Sequence, residues 1–144
     1  MNVIDGSGEI VDQPDWQSLF SDELEVAAAH EYWRIVTTEL RERGLLSSAN
    51  VHSLQRLIVA YITYDRASRE VAENGAVLKP RRGNSKAIAR VSPYFIAMRE
   101  AGADATALED KLGLSPKGRG SVTKAERKAQ RVRAADAYLK PVAK

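Results

Sequence analysis

Residues 50–74, NVHSLQRLIVAYITYDRASREVAEN, form the longest periodic stretch of the chain. Val51, Leu54, Leu57, Ile58, Tyr61, Ile62, Ala67 and Val71 recur at intervals that gather side chains on one side of an α-helix. Ser47, Ser48 or Asn50 can cap its start, and Gly75 stops it. The pattern predicts a helix over 50–74. Upstream, Leu24, Ala28, Tyr32, Ile35, Val36 and Leu40 carry the same period. Ser21 is the expected N-cap, Asp22 and Glu23 fill a first turn where the helix dipole favours acids, and Gly44 is the stop. That predicts a helix over 22–43. The short link from Gly44 to Asn50 favours an antiparallel hairpin of the two long helices.

Downstream, residues 76–91 (AVLKPRRGNSKAIARV) break the period at Pro80 and Gly83. This basic loop holds five bases and no acid, with short extended pieces expected at Val77–Leu78 and Ala87–Val91. Ser92 and Pro93 then open a third helix over 93–112, with Phe95, Met98, Ala105, Leu108 and Leu112 on one side and Gly113 as the stop. Gly102 weakens its middle by ~1 kcal/mol against Ala. The fold expected is all-α: a helical hairpin plus a third helix, with flexible termini.

The ends differ from the middle. Residues 1–25 carry seven acids and no base, and 115–144 carry nine bases against Glu126 and Asp136, although the net charge is only +3. We therefore divide the chain into a mostly flexible acidic arm (1–20), a helical core (21–114) and a basic tail (115–144). Thr123 and Glu126 form a capping box, and Ala125, Ala129, Val132 and Leu139 fall roughly on one face, so the tail suits a helix ordered on a partner.

Several classes of chemistry find no support. There is no cysteine, which removes disulfides, thiolate metal sites and a thiol nucleophile. The first residues lack the basic and apolar regions of a signal peptide, and no apolar run approaches the ~18–20 residues needed to span a bilayer. His30 and His52 sit on different helices outside any HExxH frame. Asp22, Glu23 and Glu25, like Glu109 and Asp110, read as solvated helix faces rather than metal sites. Residues 113–120 (GLSPKGRG) approach the spacing of a phosphate-binding loop. Arg119 stands where that loop needs Lys, Gly120 where it needs a hydroxyl, and a helix rather than a strand precedes it. No catalytic residue, cofactor or metal is expected.

The basic segments are the informative feature, because Lys and Arg neutralise phosphates and release counterions. The candidate DNA-binding residues are Lys79, Arg81, Arg82, Lys86 and Arg90 in the loop, and Lys117, Arg119, Lys124, Arg127, Lys128, Arg131 and Arg133 in the tail. No helix-turn-helix, zinc finger or RNA-binding signature accompanies them.

The order of features resembles a known family. Residues 29–35 (AHEYWRI) lead to Leu40 and then Gly44, Leu45 and Leu46. Residues 57–61 (LIVAY) lead to Asn74 and Gly75. A basic link, the Ser92–Pro93 helix start and the close 112–119 (LGLSPKGR) follow. This is similar to the P27-type family of phage terminase small subunits over roughly residues 20–122, with Ser115 where that family usually has Thr and a looser turn at Gly118 and Gly120. The resemblance implies a non-catalytic adaptor in viral genome packaging, acting in the host cytoplasm. It would bind packaging-site double-stranded viral DNA, assemble as a homo-oligomeric ring and recruit the large terminase subunit, which carries the ATPase and nuclease. Trp33, Tyr61, Tyr64 and Phe95 are the aromatics to divide between core and subunit interface. The rival reading from the same charges is a helical interaction module that binds an acidic protein.

Overall fold

A computed structural model describes residues 11–80, 83, 86 and 88–116. The expected tail helix beyond residue 123 and the first ten residues of the arm lie outside the described residues. Four α-helices follow in order, α1 (Trp16–Leu19), α2 (Glu23–Glu42), α3 (Val51–Asn74) and α4 (Pro93–Leu112), with a 3-10 turn at Ser48–Asn50 before α3. Between α3 and α4 runs a two-stranded antiparallel ribbon, β1 (Val77–Leu78) and β2 (Arg90–Val91), in the register Val77↔Val91 and Leu78↔Arg90. The described residues are mostly helical.

The helix ends follow local chemistry. Asp22, one residue past the expected Ser21, caps α2 by accepting from the Leu24 amide at 2.9 Å. Ser92 caps α4 through the Tyr94 amide, with Pro93 at the first helical position. Both α2 and α4 close with the same hydrogen-bond pair. At α2, Gly44 N donates to Arg41 O and Leu45 N to Leu40 O; at α4, Gly113 N donates to Asp110 O and Leu114 N to Glu109 O. Gly44 (φ +67°) and Gly113 (φ +77°) adopt the left-handed conformation this closure requires. Leu45 and Leu114 then turn back onto the core. The guanidinium of Arg43 donates to Gly113 O at 2.9 Å, tying the two ends together. The Gly-Leu pairs in the sequence are thus helix closures.

The core runs along α3, where Leu54, Leu57 and Ile58 are fully buried. The helix packs most closely against α4. Small residues permit the approach: Ala60 and Ala67 on α3, Ala101 and Ala105 on α4. Gly102 lets the Tyr64 ring lie alongside, 3.5 Å from where a Cβ would stand. Against α2, Glu25 meets Arg66 and Tyr32 meets Tyr61, so the contacts run in opposite senses along the two helices.

Two expectations need correction. The buried face of α2 is Glu25, Ala29, Trp33, Val36, Thr37 and Leu40, rotated from the expected stripe; Leu24 is 73% exposed and Ile35 49%. Trp33 sets the rotation. It is the largest apolar side chain on the helix, and it packs edge-on against Trp16 at 6.0 Å, which in turn stacks on Phe20. Second, the acidic clusters are not wholly solvated. Glu25 is buried under Arg66, which grips it at 2.7 and 2.5 Å, with Arg69 at 3.8 Å. Glu109 accepts from the Tyr61 hydroxyl at 2.6 Å. Within the arm, Val11 and Trp16 are each only 1% exposed, so the chain is anchored on the body from residue 11 onward.

Candidate nucleic-acid interface

The ribbon is positioned by the two helices that pack most closely. Gly75 (φ +81°) ends α3 and turns the chain into β1, while buried Ser92 donates its amide to Ala76 O at 2.9 Å and starts α4. That bond and the cap on Tyr94 fix the root of the ribbon. Beyond it, no described residue of 77–91 is buried. Cross-strand pairing puts Val77 and Val91 on one face, and Leu78 and Arg90 on the other.

Of the twelve candidate bases, the structure describes Lys79, Lys86 and Arg90, and all three are exposed on this ribbon and its link. Arg81, Arg82, Lys117, Arg119, Lys124, Arg127, Lys128, Arg131 and Arg133 lie outside the described residues. The sequence from 76 to 91 contains no acid, so no carboxylate of this segment offsets the positive charge.

Apolar residues that the charge reading passed over share the same surface. Ile88 is 80% exposed, more than any other large hydrophobic side chain described, and Val77, Val91 and Tyr94 are each about half exposed. The signal was present in the extended piece at 87–91 (AIARV), where four apolar residues accompany the single base Arg90.

The remaining titratable groups serve the framework. The hydrogen bond from Arg66 holds the Glu25 carboxyl below its ordinary value of 4.5; burial opposes this, and the charges of Arg66 and Arg69 add to it. The hydrogen bond to Asp65 at 2.6 Å, with some burial, raises the Tyr32 hydroxyl to about 12. Burial, then the bond to Glu109, pushes the Tyr61 hydroxyl up as well. These are links from α2 to α3 and from α3 to α4. His30 is exposed and bonded to Gln13 at 2.6 Å, and His52 is exposed on α3. Among the described residues no group of three or more His, Asp or Glu is gathered to hold a metal, and no helix is long and apolar enough to cross a membrane.

Comparison with known proteins adds a family. The model of the family described as phage terminase, small subunit, matches residues 29–129, from the second turn of α2 through the ribbon and α4 into the basic tail. No curated protein and no solved structure matches. A match over more than half its length, through helices, ribbon and closing Gly-Leu turns, makes the chain a member of the phage terminase small-subunit family.

Proposed function

We propose that the chain is a non-catalytic adaptor of viral genome packaging, of the P27-type branch, that binds packaging-site DNA and recruits and regulates the large terminase subunit in the host cytoplasm. The observation that carries the DNA reading is the acid-free basic stretch 76–91, whose described residues at 77–80, 83, 86 and 88–91 are all exposed where it joins α3 to α4. Its bases and those of the tail, the twelve candidates above, would hold the phosphate backbone. The architecture proposed is an antiparallel hairpin of α2 and α3 with α4 added, repeated around a homo-oligomeric ring. The opposed contacts of Glu25–Arg66 and Tyr32–Tyr61 support the hairpin. The exposed apolar side chains of Leu24, Ile35, Tyr94 and Ile96 support burial between copies. A ring multiplies each weak phosphate contact by avidity. The arm (1–20), core (21–114) and tail (115–144) remain the proposed division of labour.

The test is binding of the full chain to duplex DNA across a salt series. Affinity should fall steeply as salt rises. Replacing Lys79, Lys86 and Arg90 together by Ala should flatten the log–log slope by about 0.9 for each phosphate left without its cation. Affinity indifferent to salt would sink the reading and favour an acidic protein as the partner.

A further inference from the structure

Two surfaces of the chain lie uncovered, and they match. The first is a groove of about 640 Å³ between α3 and α4. Small residues line its floor: Ala60 and Ala101 are buried and Ala97 is half-buried. A floor without long side chains lets another helix approach closely. The walls carry opposite charges, with Arg56 on α3 and Glu100 and Asp104 on α4, all exposed. The second surface is the outer side of α2. Leu24 and Ile35 stand there in solvent, and the Glu31–Arg34 ion pair lies between them in the sequence with both side chains more than half exposed.

Length and charge agree. Leu24 and Ile35 are eleven residues apart, as are His52 and Thr63 along the α3 wall of the groove, roughly 16 Å in each case. Glu31 is the counterpart of Arg56, and Arg34 that of Glu100 and Asp104. An ion pair as exposed as Glu31–Arg34 loses little by exchanging partners. The α2 helix does not fill the groove of its own chain. Among the described residues none of α2 lines it, and α2 meets α3 elsewhere, through Glu25–Arg66 and Tyr32–Tyr61.

We infer that copies join head to tail, the outer side of α2 in one chain lying in the α3–α4 groove of the next. The inference rests on the homo-oligomer proposed above and names the two surfaces that build it. Burial of Leu24 and Ile35 on the alanine floor supplies the attraction, and the charged walls set direction and register. Because different patches meet, every added chain leaves a groove and an α2 free, and assembly continues until it closes on itself.

The experiment measures the mass of the full chain in solution, at concentrations up to well above those at which the parent assembles. One variant, Leu24→Asp with Ile35→Gln, spoils the outer side of α2. The other, Arg56→Glu with Ala107→Trp, reverses one wall and obstructs the groove. All four positions are exposed, so helix content by circular dichroism and the urea midpoint of the dilute chain should match the parent. The parent should run as an assembly and each variant as one chain. Mixed, the two should form a one-to-one heterodimer and nothing larger, since a single intact α2 and a single intact groove remain to meet. A mixture that stays at the mass of one chain overturns the pairing. A groove variant with the parent's mass also overturns it, and leaves the groove to a different occupant, such as an acidic peptide. A parent that is itself a single chain overturns the inference and the proposed ring together. Salt-dependent binding to duplex DNA remains a separate readout of the DNA reading.

Discussion

Glu25 shows how far a single residue can depart from its sequence environment. It lies in an acidic first turn that reads as solvated, yet the fold buries it and presents two arginines from α3. Nothing local in the sequence reveals this, because Arg66 and Arg69 are some forty positions away. The consequence is a pH dependence of definite sign. Above 4.5 both folded and unfolded chains hold Glu25 ionised and the ion pair contributes fully. As pH falls below 4.5 the unfolded chain takes up the proton first, and the contribution disappears as pH passes down through the lower folded value. Glu25→Gln should therefore cost about 1 kcal/mol at neutral pH, a modest figure because Arg66 is more than half exposed and screened. Urea unfolding at pH 7 and again near the acid limit would check it; a difference that does not shrink in acid would refute the assignment. Gly102 makes the opposite case. Its weakness in a helix was readable from sequence, and the structure shows room: a Cβ would meet the Tyr64 ring at ordinary contact distance, 3.5 Å. Gly102→Ala should raise stability by about 0.5–1 kcal/mol, seen as a higher urea midpoint with an unchanged slope.

Elements were legible where their ends are written locally. The end of α3 and the bounds of α4 follow from Gly75, Ser92, Pro93 and Gly113, residues whose preferences act within one turn, whereas Asn50 makes no side-chain cap at the start of α3 and donates to Leu45 O instead. The four-residue α1 was not legible, since it has no period to detect; Asp15 caps it and burial of Trp16 holds it. The face of α2 was misread because hydrophobic period counts side chains equally, whereas one tryptophan packed on another outweighs an isoleucine. The closures of α2 and α4 give the element-scale prediction. Gly113 occupies a left-handed conformation and its carbonyl receives Arg43, so the residue serves both closure and clip. Gly113→Ala should cost about 1–2 kcal/mol through left-handed strain alone. The control is Gly102→Ala on the same helix. If both substitutions shift the thermal midpoint in the same direction, the closure is not what the glycine at 113 supplies.

At the scale of the whole molecule, what the sequence left open is which surfaces meet. The short Gly44–Asn50 link points to the α2–α3 pair, but the closest packing is between α3 and α4, across a ribbon whose length alone would not suggest it. Closeness depends on alanines matching across two helices, and a pattern within one helix does not contain that information. The same gap concerns the contacts between copies that the proposed ring requires. Leu24 and Ile35 belong to the apolar period of α2 yet stay outside the core of one chain, 73% and 49% exposed. Eleven residues apart, they lie three helical turns from each other along one side, long enough to receive an element of a neighbouring subunit. Replacing them with polar residues costs the single chain little, because neither fills its core. Leu24→Asp with Ile35→Gln should therefore leave helix content and urea midpoint at high dilution unchanged, while lowering the mass in solution from that of an assembly to that of one chain. Avidity would fall with it, so duplex affinity should drop although every base remains in place. An unaltered mass in light scattering would move the proposed subunit interface off this face, with Tyr94 and Ile96 at the start of α4 the next exposed apolar pair to replace.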